Sequence, residues 1–225
     1  MIRILKATFT VIIIMIASTS FLEAQSWKKN LKKLKDTSKT SSQNSGGDIS
    51  SSQDALLLQT ATAVATLADA QHHVALAQGN QELAEQLKNV SKALNGGDTS
   101  DIKGHVDTVN KTAKAQKEVI SQKNKMSDDA KKHYQAALIP FFTSAALTAK
   151  LKDPSTQFVK DATNQIKSIK NPLEIGKIKK SLDVGMYIGK NIPTLISSLL
   201  STTGDLMSYS KDNGLDVSKA SSIEL

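Results

Sequence analysis

Between positions 56 and 77 the chain sets apolar or small residues at alternating steps of four and three: Leu56, Thr60, Ala63, Leu67, Ala70, Val74 and Ala77. That spacing keeps one stripe of a helix against a neighbour, whereas a strand would need alternation at every second residue. The small members of the stripe let the neighbouring helix approach closely. Gly79-Asn80 then reads as a break or kink, and the period resumes at Leu83, Leu87, Val90 and Leu94. It stops at Asn95-Gly96-Gly97, where glycine takes the left-handed conformation that ends helices. A third stripe follows at Ile102, Val106, Val109, Ala113, Gln116 and Ile120, weakened by Gly104 in its first turn and by the polar Gln116. Two adjacent helical stretches around a Gly-Gly turn predict an antiparallel αα-hairpin.

Ser127 before Asp128, Asp129 and Ala130 is a helix start, with acidic residues where the helix dipole favours them. This helix runs into the most apolar stretch after the N-terminal segment, 136–149, which Pro140 interrupts. Fourteen residues are too few to span a bilayer, so a buried, kinked core helix is expected. Asp153-Pro154, Asn171-Pro172 and Ile192-Pro193 mark three further starts, because proline at the first helical position loses no hydrogen bond. They imply helices over about 154–170, 172–190 and 193–211. Gly185 and Gly189 lie four apart and suit the close packing of a neighbouring helix. Aromatic residues make up only 4% of the chain. The expected fold is all-α: a helical bundle with a long N-terminal αα-hairpin and shorter C-terminal helices.

The N-terminus carries a different signal. Arg3 and Lys6 precede the apolar run Val11-Ile12-Ile13-Ile14-Met15-Ile16-Ala17, and small residues follow to Ala24. Charge, short apolar core and an Ala-ended site read as a secretory signal peptide over residues 1–24, cleaved after Ala24. A retained membrane anchor is the alternative. The expected mature chain begins at Gln25, in the periplasm or outside the cell. It keeps 27 basic and 20 acidic side chains, or +7, from a full-chain balance of +8. The remaining expected divisions are a basic amphipathic arm at 25–39, a flexible Ser/Gly-rich linker at 40–52, a helical domain at 53–213 and a flexible tail at 214–225.

With no cysteine, the chain has no disulfide, thiolate metal site or cysteine nucleophile, and no cysteine to carry a lipid. The arm is the most suggestive segment. On a helix Trp27, Leu31 and Leu34 form a narrow apolar stripe, and Lys28, Lys29, Lys32, Lys33 and Lys35 occupy much of the rest. Such a segment suits an anionic membrane or a partner surface, with Trp27 at the headgroup level. It equally suits a helix docked on the bundle by Trp27. These eight residues are the candidate membrane-binding or partner-binding set.

Other constellations are weaker. Asp69, His72 and His73 lie within one helical turn and could begin a metal site completed by His105 or His133. Adjacent histidines point about 100° apart on a helix, so ordinary surface or core roles are expected, with no metal and no cofactor. Glu82 with Glu85, and Asp128 with Asp129, fall near helix starts where acidic residues are common. No serine sits in a nucleophile elbow, and no catalytic residue is assigned.

These features predict an exported, non-catalytic helical protein that binds another macromolecule of the cell envelope, in an adaptor or structural role. The expected partner is an envelope protein or a second copy of the chain, with an anionic lipid surface also allowed and no nucleic acid. Peripheral attachment to an anionic membrane through the arm is the first alternative. An enzyme assembled from scattered side chains is the second, and would need residues such as Lys131, His133 and Tyr134 to gather in a deep pocket.

Overall fold

The computed structural model describes residues 49–122 and 124–223, all within the unit spanning Asn44–Leu225. Both the signal segment 1–24 and the arm with Trp27 to Lys35 lie outside the described residues. Among the described residues there are seven helices of ten residues or more, one short helical turn and no strand. They are α1 (Ile49–Ala77), α2 (Gln81–Asn95), α3 (Ile102–Ser121), α4 (Asp128–Ala149), α5 (Lys152–Ser168), α6 (Pro172–Ser181), α7 (Asp183–Asp212) and the turn α8 (Ser218–Ser221). The chain is an all-α helical bundle.

Two helices form its centre because long stretches of each carry only apolar, small or hydroxyl side chains all the way round. In α1 the six residues 63–68 are consecutively buried, and in α4 the nine residues 140–148 are. A helix buried on every side must be surrounded, whereas an amphipathic helix needs cover on one side only. Accordingly α1 and α4 pack on one another most extensively, α2 and α3 both pack on α1, and α7 packs on α3, α4 and α5. The alanines of α1 bring α4 near enough for Ser144 Oγ to donate to the Ala63 carbonyl at 3.1 Å. Phe141, Leu138, Leu56 and Leu67 are fully buried.

The hairpin forms at a different turn from the one expected. Gly79, with φ +73°, ends α1: the Asn80 amide reaches the Ala75 carbonyl and the Gly79 amide the Leu76 carbonyl. These paired bonds are the left-handed helix stop that glycine permits. Asn80 then caps α2 through Leu83 N, and α2 folds back along α1. Gly97 ends α2 in the same way, with φ +88°. Yet α2 and α3 are not a packed pair: α2 lays its apolar stripe on α1, whereas α3 packs between α7 and α1, most extensively on α7.

Other boundaries shift for reasons of packing. α1 opens at Ile49, so residues 49–52 of the expected linker are helical. α5 opens at Lys152, which leaves Pro154 within the first turn, where amides lack intrahelical partners anyway. No helix starts at Pro193; it lies inside the 30-residue α7. Ile188, Ile192, Leu195 and Leu199 make one buried row across it. Burying four such side chains at about 1.5–3 kcal/mol each outweighs the roughly 3 kcal/mol that an interior proline costs. Pro140 is likewise enclosed in α4.

The expected helix 172–190 divides at Leu182. That side chain is buried, whereas no residue of α6 is. The bend lets α7 run along the body while α6 stays on its exterior. Gly185 and Gly189 set how closely α7 meets α5: a Cβ on the first would overlap the Phe158 ring, and on the second the Val159 side chain. Part of the expected tail is also tied down, since Ala220 of α8 is buried and Gln135 exchanges two hydrogen bonds with the backbone of Asp216.

Candidate functional site

The structure gathers three of the four histidines. His72 and His73 follow one another on α1, and His133 comes from α4; ring centroids are 5.1 Å apart for His72–His73 and 6.5 Å for His73–His133. Burial pushes His73 down to about 4, with help from the neighbouring His72, His133 and Lys88. A histidine so placed is neutral at pH 7 and resists protonation. Its neighbours are engaged: His72 Nδ1 lies 2.7 Å from the Ala84 carbonyl, and His133 Nε2 lies 3.9 Å from Asp129. His105 is apart from them, close enough to Asp98 to help hold its carboxyl below the usual range, after the hydrogen bonds from Ser100. Among the described residues no three His, Cys, Asp or Glu side chains are arranged to hold a metal ion.

The candidate acid–base groups are also dispersed. Glu82 occupies the first turn of α2, and Asp128 and Asp129 that of α4. Lys131 pairs with Asp128 at 3.9 Å on the surface, but Tyr134 turns into the core. Tyr134 accepts from Gln78 Nε2 at 3.4 Å and meets Tyr209 edge to face at 5.4 Å. Burial raises Tyr134 to about 12. Lys131, His133 and Tyr134 therefore have different partners: Asp128, Asp129 with His73, and Gln78 with Tyr209.

Polar braces tie α3 to α7. Tyr187 donates to Asp107, Lys103 pairs with Asp183 and also lies 5.5 Å from the Tyr187 ring centre, and Lys117 reaches Ser201 and Asp205. Desolvation, then the bond to Asp107 and its charge, raises Tyr187 to about 12. Inside, Gln71 Nε2 donates to the Val109 carbonyl and Gln116 Nε2 to the Gln71 carbonyl, both at 2.9 Å. The polar interruption of the third apolar stripe is thus a buried crosslink between α1 and α3.

What remains for recognition is the exterior. The α1 stripe from Leu56 to Val74 is buried, so those small residues already have their helical neighbours inside the body. The most exposed element is α6. Asn171 caps it through Leu173 N at 3.0 Å, Pro172 fills its first position, and Ile175 and Ile178 are half-buried. Leu173 is 78% exposed. From Lys167 to Lys180 there are five lysines and one carboxylate, Glu174, a local balance of +4. This concentration escapes a sequence reading that runs 172–190 as one packed helix. Its signal is the outward spacing of Leu173, Lys177 and Lys180 at i, i+4 and i+7.

No described helix is long and apolar enough to cross a membrane. No family model, curated protein or solved structure matches the chain.

Proposed function

We propose that this is an exported, non-catalytic helical protein that binds another macromolecule of the cell envelope through its lysine-rich exterior. The observation that carries the reading is the use of the apolar surfaces. The stripes of α1 to α3 are spent inside the bundle, against α1, α4 and α7, and the least buried helix, α6, turns outward with lysines around it. A body of this kind recognises by charge and shape, and an anionic counterpart fits it. The signal segment would deliver it to the compartment where such partners lie. The arm with Trp27 and its five lysines would add a second basic element of the same sign.

The test is crosslinking in intact cells with a photoreactive residue at position 177, an exposed site on α6. The exported chain is expected to join an envelope component, and the crosslink to fade as salt rises. A chain that stays uncrosslinked at position 177 and throughout α6, while correctly exported, would contradict the proposal.

A further inference from the structure

We infer that α6 is itself a membrane-docking element, whose outward face lies flat on an anionic bilayer. The inference rests on the binding function proposed above and names its partner. At about 100° per residue, Leu173, Lys177 and Lys180 fall within about 40° of one line along the helix. Ile175 and Ile178 fall on the opposite side, where they are half-buried, which fixes the first three as the outward face. Leu173 therefore projects from the body between lysines, at 78% exposure. Among the described residues none of Lys167, Lys170, Lys177, Lys179 and Lys180 lies within 4 Å of a carboxylate, so their charge is open to an external partner.

The chemistry of the face selects lipid over protein. Protein-binding anchors are enriched in Trp, Tyr and Arg, and α6 carries none of these. Lysine is a hydrated point charge that answers to a diffuse anionic field; the planar bidentate recognition of one carboxylate is the work of arginine. A convex helix with one projecting leucine also offers no groove, whereas a plane of anionic headgroups accepts it directly. The leucine enters the headgroup boundary and the lysines stay at the charged surface.

The experiment is flotation of the mature chain, residues 25–225, with vesicles of phosphatidylglycerol and phosphatidylcholine in roughly equal parts, or of phosphatidylcholine alone. The α6 variant carries Leu173→Ser, Lys177→Gln and Lys180→Gln, all at exposed positions, with helicity checked by circular dichroism. The arm variant changes Lys28, Lys29, Lys32, Lys33 and Lys35 to Gln. Each lysine lost is expected to lower partitioning about fivefold, so the two in α6 account for about 25-fold and the leucine adds to it. The arm variant is expected to retain the part of the binding that α6 supplies. An α6 variant that floats like the parent chain overturns the inference. So does a parent chain that binds isolated envelopes but not protein-free anionic vesicles, which leaves the broader binding function standing. A second reading uses Trp27→Phe with Leu173→Trp, which moves the single tryptophan onto α6. Its emission should shift to the blue with anionic vesicles only, and an unchanged spectrum overturns the inference.

Discussion

Acidification from pH 7.5 to pH 5 should weaken the fold through one residue, His73. The ring sits between α1 and α4, and its folded-state value is near 4 against 6.5 for the free side chain. Burial is the main cause, followed by His72 on the same helix, His133 on α4 and Lys88 on α2. Because the folded value is depressed, the unfolded chain takes up the proton first as pH falls. Stability is thus complete above about pH 6.5 and is lost as pH falls toward 4. A difference of 2.5 pK units at about 1.4 kcal/mol each gives about 3.5 kcal/mol in full, of which about 2 kcal/mol is lost by pH 5. In urea unfolding followed by circular dichroism, that loss moves the midpoint by about 1 M, for a slope of about 2 kcal/mol/M. His73→Gln removes the titrating group and should abolish most of the shift. An equal shift in parent and variant would refute the reasoning, because the lost stability would then belong to other groups.

Gly185→Ala and Gly189→Ala place a Cβ into Phe158 or Val159 and should each cost about 1–3 kcal/mol in thermal or urea unfolding. Gly176→Ala and Gly204→Ala meet open space and should be neutral or stabilise by up to about 1 kcal/mol, the opposite sign in the same assay. Gln116→Met keeps the volume but breaks the buried bond from Gln116 Nε2 to the Gln71 carbonyl, so it should cost about 1 kcal/mol in the same assay. All three tyrosines are raised above their ordinary value, Tyr134 and Tyr187 to about 12, with desolvation the largest cause, so most tyrosinate absorbance in the folded chain should appear near pH 12. Unfolding in urea should bring it back to about pH 10.

The fold class was legible because periodicity survives without tertiary information. The stripes at 56–74, 83–94 and 102–120 are all buried or half-buried helix faces, and Ser127, Asn171 and Gly97 mark helix ends as their chemistry implies. Pairing was less legible. The stripe of α1 specifies a neighbour but not which one, and the runs free of charged and amide side chains at 63–68 and 140–148, buried throughout, are the places where α1 and α4 are central. Proline misled at 193 because a local cost of one missing bond yields to four buried side chains on either side of it. Of the candidate site residues, the histidines were visible as a cluster, yet their separation into a buried His73 and an Asp129-facing His133 depends on how α4 lies on α1. The exposure of α6 depends on the bend at Leu182, an outcome of packing that no local pattern encodes.

We propose that the helical body, once exported, binds an anionic envelope partner with its lysines. The most direct measurement is the affinity of the mature chain for isolated cell envelopes across a salt series. Screening shortens from about 10 Å at 0.1 M toward 3 Å at 1 M, so binding should fall steadily with salt and weaken further when Lys177 and Lys180 are neutralised. Binding that is absent at low salt, or indifferent to salt and to those lysines, would contradict it.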